Sequence, residues 1–270
     1  MFDAVAAGFL FNCAATAAVI GVCMLLLWWL SIRLNDMSIV DIFWGPGFGI
    51  VALTTYLLSA DAGVPARRVL VTTLTVAWAA RLGLHLFIRN RGKGEDPRYT
   101  AAFRSRYTRR LHLQTLFKVF LLQGALIWLI SMPVQLAEYL REPPSLGLAA
   151  LAGSTLWLAG FLFEAISDWQ LVRFKADPAN RGQIMDRGLW CYSRHPNYFG
   201  NACLWWGLFL IACDSWVGVL TIFAPALMTH FLVNVTGKRL LESRMSQARP
   251  GYAAYVSRTS GFLPWPPRRS

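Results

Sequence analysis

Charge is scarce in this chain. Asp, Glu, Lys and Arg make up 15% of the residues, against roughly 25% in ordinary soluble domains, so polar surface is too small to cover a water-soluble globule. Paired cysteines are also missing: Cys13, Cys23, Cys191, Cys203 and Cys213 are scattered without CxxC spacing, which excludes a disulfide framework and a cysteine zinc site. No HExxH, no GxGxxG after a strand and no GxxxxGKS-type phosphate loop occurs. Gly45-Pro46-Gly47-Phe48-Gly49 imitates the last poorly, because it lies within an apolar run. The four histidines stand beside no obvious nucleophile, so no Ser-His-Asp arrangement can be argued. No metal site is expected. No GxxxG-type helix packing is read either, which leaves the oligomeric state open.

What is abundant is apolar chain. Hydrophobic types reach 56% of the residues, and 12 Trp, 17 Phe and 8 Tyr suit lipid-facing helices with aromatic belts at the interfaces. Runs near 5–32, 38–60, 69–88, 114–137, 146–171, 198–213 and 216–236 each approach the length of about 20 residues that spans a bilayer. The stretch from Val5 to Leu30 lacks a basic leading region and reads as a span, not as a cleavable signal. The fold class expected is therefore an all-α integral membrane protein, a bundle of seven transmembrane helices in one membrane domain, 1–270.

The formal net charge of +12 admits three partners: nucleic acid, anionic headgroups or a phosphorylated ligand. Position separates them. Basic residues gather after the third span (Arg89, Arg91, Lys93, Arg98, Arg104, Arg106, Arg109, Arg110, Lys118), after the fifth (Arg173, Lys175, Arg181, Arg187, Arg194) and in the tail (Lys238, Arg239, Arg244, Arg249, Arg258, Arg268, Arg269). The intervening loops are nearly bare, so the positive-inside rule puts the N-terminus outside and the C-terminus in the cytosol. Arg67 and Arg68 fall on the wrong side of this scheme. Short membrane-adjacent basic segments argue against nucleic-acid binding, and part of their charge is left for a phosphorylated ligand.

Ionisable residues at membrane depth need a partner or a function. Glu164 and Asp168 share one face of the fifth span at i, i+4, as do Arg81 and His85 in the third, while Asp41 opens the second. The densest polar string is Ser193-Arg194-His195-Pro196-Asn197-Tyr198, just before the sixth span. Pro196 suits a first helical turn, which would gather Arg194, His195, Asn197 and Tyr198 at a helix N-terminus fit for an anion. In the tail, Tyr252 and Tyr255 share a face at i, i+3 and would pack an adenine ring or anchor at the interface.

The string Ser193-Arg194-His195-Pro196-Asn197-Tyr198-Phe199-Gly200, then Trp205-Trp206-Gly207 and a tail with Glu242, Tyr252, Tyr255 and Phe262-Leu263-Pro264-Trp265, resembles the steroid 5-alpha-reductase family, in its bacterial membrane branch. The resemblance runs from about Phe161 to Trp265, with support from Val40-Asp41-Ile42-Phe43-Trp44-Gly45 and Asn90-Arg91-Gly92. It implies a seven-helix enzyme of a bacterial inner membrane. That enzyme uses NADPH to reduce the carbon–carbon double bond of a 3-oxo-4-ene steroid or similar lipid enone. Residues 1–145 would form much of the substrate cavity and 146–270 the cofactor site.

By that resemblance Asp168 contacts the cofactor, and Asn197 contacts it near its nicotinamide half. Lys175, Arg181, Arg91 and Lys93 meet its phosphates, and Arg194, His195, Tyr198, Arg239, Glu242, Tyr252 and Tyr255 complete the site. In place of the family's ketone-facing Glu and Tyr, on two early helices, the second span offers Asp41 and Trp44 and the third Trp78 and Arg81; Asp41 and Trp44 become the catalytic candidates. A rival from another reaction class shares the Arg-His-Pro-x-Tyr string and a downstream Glu and Tyr. It comprises S-adenosylmethionine-dependent membrane methyltransferases of the isoprenylcysteine or phospholipid type. A non-enzymatic lipid-binding protein would leave the intramembrane acids without a cause.

Overall fold

A computed structural model describes residues 2–105, 110–235, 242, 245 and 251–268. Arg239 and the basic residues Arg106, Arg109, Lys238, Arg244, Arg249 and Arg269 lie outside them. Among the described residues there is no strand, only one isolated bridge between Ser193 and Ser260. In chain order come α1 (Phe2–Leu34), α2 (Ile39–Leu58), α3 (Pro65–Asn90), α4 (Leu111–Ala137), α5 (Leu148–Ala176), α6 (Pro196–Ala212), α7 (Trp216–Val235) and the tail helix α8 (Tyr252–Arg258). The chain is a multi-pass integral membrane protein: α1 to α5 and α7, six helices, are long and apolar enough to cross a bilayer. The predicted span at 198–213 is the helix α6, which at 17 residues is shorter than the rest.

The chain divides into two compact units, Met1–Gly147 with Asp214–Gly218, and Leu148–Cys213 with Val219–Ser270. In the first, α1 ends where Asn35 turns to φ 53, a left-handed conformation that Asn tolerates better than most residues. Asp36 Oδ1 then accepts from the backbone N–H and the hydroxyl of Ser38 and turns the chain into α2. Pro65 starts α3 at a position where no N–H is needed. The helix α4 contains a wide π turn at Leu116–Leu121 and breaks at Ser131 ahead of Pro133.

The expectation of no GxxxG packing is corrected here. Gly45 and Gly49, four apart in α2, lie against α3, where an added Cβ would meet Ala79 O at 3.0 Å and Ala79 Cβ at 3.1 Å respectively. The apolar Gly-Pro-Gly-Phe-Gly string is thus a helix contact, and such close approach replaces the hydrophobic drive that lipid does not provide.

Arg67 and Arg68, which run against the predicted sidedness, both have partners within the protein. Both are buried. Arg67 donates to Leu140 O and Pro143 O, each at 3.0 Å, and faces Asp214 at 3.5 Å. Arg68 donates to Ser59 Oγ, Ala60 O and Tyr56 O. Ser59 and Thr72 in turn donate to the buried Glu138 carboxylate. These arginines satisfy loop carbonyls instead of facing headgroups, so they carry little weight in a loop-charge rule.

In the second unit α5 and α6 run antiparallel in backbone contact. Gly153 lies against Gly207 and Gly160 against Gly200, and a Cβ on Gly160 would stand 2.5 Å from Gly200 O. The spacing is seven residues on each helix, two turns, so the same face recurs. The loop after α5 folds back on that helix: Leu189 N–H donates to Gln170 Oε1 and Trp190 Nε1 donates to Ser167 O, both at 3.0 Å. Gly188, at φ 59, sits where a Cβ would strike the Gln170 side chain.

Candidate functional site

Each unit holds a polar cluster at the basic ends of its helices. In the first, Asp41 in the opening turn of α2 accepts from Tyr99 Oη at 2.6 Å and from Arg98 Nη2 at 3.0 Å. Asp96 caps the short turn Pro97–Tyr99 through the Arg98 backbone N–H, and its carboxylate also holds the Arg98 side chain. Gln123, two residues past the π turn of α4, donates to Tyr99 Oη at 3.4 Å, and π turns commonly re-aim side chains at functional positions. Next to this, Arg104 donates to Glu95, which also accepts from Met37 N–H, and so ties the segment to the α1–α2 turn. Burial, and then the facing Asp41 carboxylate, push the Tyr99 phenol well above its ordinary range. It stays protonated and able to donate.

Of the two catalytic candidates, Asp41 lies in this cluster. Trp44 is placed differently: its ring packs edge-on to Phe48, which packs edge-on to the fully buried Trp78, in an aromatic row between α2 and α3. Reasoning from the sequence missed Tyr99 and Gln123. Asp96-Pro97 is a helix-start signal that announced a turn there, but nothing local announced a partner 58 positions away.

In the second unit, the antiparallel glycine contact sets two acid–amide rungs between α5 and α6. Asn197 Nδ2 donates to Asp168 Oδ1 at 3.1 Å, and one turn deeper Asn201 Nδ2 donates to Glu164 Oε2 at 3.2 Å. Asn201 Oδ1 is buried with no partner among the described residues. Pro196 opens α6 as its residue type predicts, with Asn197 and Tyr198 in the first turn.

Arg194 and His195 turn to the tail. Arg194 Nε donates to Glu242 Oε1 at 2.9 Å, and its Nη1 donates to Thr259 O at 2.5 Å and Val256 O at 3.1 Å. His195 Nε2 lies 3.2 Å from the same Glu242 oxygen, and its ring stacks on Tyr198 at 5.5 Å. Burial opposes ionisation of Glu242, but the hydrogen bonds from His195 and Arg194 outweigh it and hold the carboxyl down at about 2. Tyr252 and Tyr255 are buried in the tail's own packing, and Tyr255 Oη donates to Trp190 O at 2.6 Å. Both rings are therefore occupied within the protein. By contrast Arg91, Lys93, Lys175 and Arg181 are exposed. Arg91 and Lys93 flank Gly92 and precede Gly94, whose φ values are 77 and 69.

Comparison with known proteins gives a family and one distant relative. The profile of a family described as "Protein of unknown function (DUF1295)" matches residues 27–259. The chain is 24% identical over 265 residues to "Uncharacterized protein C594.04c" of Schizosaccharomyces pombe, an alignment that covers 88% of this chain and 75% of that protein. No solved structure matches.

Proposed function

The chain belongs to the family DUF1295, and from that premise we propose that it is a membrane reductase similar to the steroid 5-alpha-reductases. It would use NADPH to reduce the double bond of a 3-oxo-4-ene steroid or a comparable lipid enone. In this reading α6 is a seventh crossing, since 17 residues rise about 25 Å, close to the hydrocarbon thickness. The N-terminus lies outside, and the C-terminus lies in the cytosol of a bacterial inner membrane.

The observation that carries the reading is the bond from Tyr99 Oη to Asp41 at 2.6 Å. A protonated phenol held against a carboxylate is what an enone needs at its ketone oxygen. With an enone bound, the single phenol O–H would turn from Asp41 to the ketone oxygen and donate there as negative charge develops, and such donors typically contribute about 10²–10³ in rate. Asp41 orients the phenol, Arg98 orients Asp41, and Gln123 occupies a second position on the phenol oxygen. Trp44, on the same helix, lines the approach with an apolar ring.

Whether the residues suit NADPH is judged on donors and exposure. In the second unit Lys175 and Arg181 are exposed cations able to meet phosphates, and in the first unit Arg91 and Lys93 are exposed as well. Asp168 and Asn197 supply an acceptor and an amide, and the partnerless Asn201 Oδ1 has an open place for an N–H such as that of a carboxamide. These fit. Arg194 serves the tail in this scheme, with Nε on Glu242 and Nη1 on Val256 O and Thr259 O; it, His195, Glu242, Tyr252 and Tyr255 hold the tail beside the second unit's cluster. When bound, NADPH supplies the hydride.

One observation favours the methyltransferase alternative. Two carboxyl groups, Glu164 and Asp168, line one helix pair, and such a site also suits the sulfonium cation of S-adenosylmethionine. Thermal shift of the purified protein with NADPH, NADH and S-adenosylmethionine separates the two, since a ligand stabilises by the logarithm of its concentration over its dissociation constant. A shift with NADPH, together with enone turnover that falls on Tyr99→Phe, is the expected result. A shift with S-adenosylmethionine alone would refute the reductase.

A further inference from the structure

The tail carries two large apolar residues in a place that water would penalise. Leu263 is 64% and Trp265 71% exposed, and both lie well past α7, the last helix among the described residues that is long and apolar enough to cross a membrane. Their turn is tightly fastened. Ser193 Oγ donates to Phe262 O at 2.8 Å, Arg194 N–H to Ser260 O at 2.9 Å and Trp265 N–H to Tyr192 O at 3.0 Å.

The depth of this turn can be read from α5. Trp169 is 55% exposed and the Arg173 guanidinium lies 5.1 Å from its ring centroid, the pairing of an amphipathic ring with a cation found where hydrocarbon meets water. The loop to which the tail is fastened meets α5 on either side of Trp169, at Ser167 and Gln170. Phe262 contacts the Phe199 ring at 6.0 Å, and Phe199 contacts Phe163 at 5.5 Å. Phe163 is six residues before Trp169, about 9 Å further along the helix toward the apolar side. The turn therefore hangs at the boundary, with its aromatic base below it. Arg268 is exposed three residues past Trp265, with its N–H on Arg258 O, while Arg258 is paired with Asp186, so Arg268 supplies the positive charge near the apolar tip.

We infer that Leu263-Pro264-Trp265 is a lipid-contacting anchor. It inserts between phospholipid headgroups at the hydrocarbon boundary, with Arg268 beside it to meet anionic phosphates. An apolar tip followed by an exposed arginine suits a bilayer surface of this kind. The anchor holds the tail, and with it Thr259 and Val256, against Arg194, whatever the second unit binds.

The test reads immersion directly. Leu263→Cys carries an environment-sensitive bimane in a chain whose five native cysteines are replaced, in nanodiscs of phosphatidylcholine and phosphatidylglycerol. Ala179→Cys, on the exposed loop after α5, is the reference. The expected result is blue-shifted emission at 263, quenched by spin-labelled lipid and not by aqueous iodide. Iodide quenching equal to that at 179 would overturn the anchor. So would blue-shifted emission that neither quencher reaches, which would mean cover by protein, such as a second copy. For a cysteine-free chain that fails to fold, hydroxyl-radical oxidation of the native chain gives a second reading. Trp265 in nanodiscs should oxidise several-fold more slowly than in a free peptide of residues 258–268, and equal rates would refute the proposal.

Discussion

Tyr99 Oη donates to Asp41 Oδ1 at 2.6 Å, and this bond joins the opening turn of α2 to a short turn beyond the end of α3. Removing the hydroxyl with Tyr99→Phe should lower enone turnover by about 10²–10³ while the NADPH-induced thermal shift stays the same. Asp41→Asn should also slow turnover, through loss of orientation. Steady-state kinetics with a fixed enone checks both, and a normal rate in Tyr99→Phe would remove the phenol from the chemistry.

Asp168→Ala and Asn197→Ala remove opposite ends of one rung between α5 and α6. Each should weaken NADPH binding about 10-fold or more, the scale of a hydrogen bond to a charged group. Titration calorimetry of the detergent-purified protein measures this. Unchanged affinity in both variants would take the rung out of the cofactor site.

The α5–α6 contact should tolerate no side chain. Gly160→Val places a Cβ 2.5 Å from Gly200 O and should destabilise by about 1–3 kcal/mol or more. Gly21→Ala on α1, where nothing lies within 4 Å, should leave the melting temperature almost unchanged. Equal effects at the two positions would mean that α5 and α6 do not touch in this way.

Arg68 serves three acceptors in a buried network above Glu138. Arg68→Met should cost about 3–5 kcal/mol, as expected when one member of a buried charged network is removed. Arg67→Gln and Arg68→Gln should not change the sidedness of the N-terminus in a protease-protection assay, because those charges are internally engaged. Inversion of topology would show that they act as loop charges after all.

The Glu242 carboxyl is depressed from its ordinary 4.5 to about 2. The sign follows: a depressed acid adds stability that is fully present above 4.5 and is lost as pH falls through about 2. Tail docking, followed by hydrogen exchange at residues 251–268, should therefore persist through mildly acidic pH. Glu242→Gln should loosen the tail at neutral and mildly acidic pH and lose that effect as pH falls through about 2, and loosening of the unmodified chain already near pH 6 would contradict this assignment.

Much of the membrane architecture was legible in advance. Long apolar runs forced helices at six of the predicted spans, since backbone groups in lipid must be satisfied within the segment. Pro196 marked the start of α6, and the spacing of Glu164 and Asp168 already put that pair on one helix face, whereas Asn201, which bonds Glu164, was not singled out. Glycine contacts were less legible: Gly45 and Gly49 were spaced for packing, yet their apolar surroundings concealed it, and the seven-residue spacing in α5 and α6 signals contact only once the partner helix is known.

The sequence by itself determined a helical membrane chain with its basic residues in three separated segments, because hydropathy and charge act on each segment locally. Tertiary structure alone decided what the polar residues do. It took Arg194, which stands at an anion-suited helix start in its own string, and bonded it to Glu242 and tail carbonyls; it brought Tyr99 onto Asp41; and it engaged Arg67 and Arg68 with internal acceptors. The reason is physical: a hydrogen bond at membrane depth depends on which group of a distant segment lies within about 3 Å, and only the packing of the helices settles that distance.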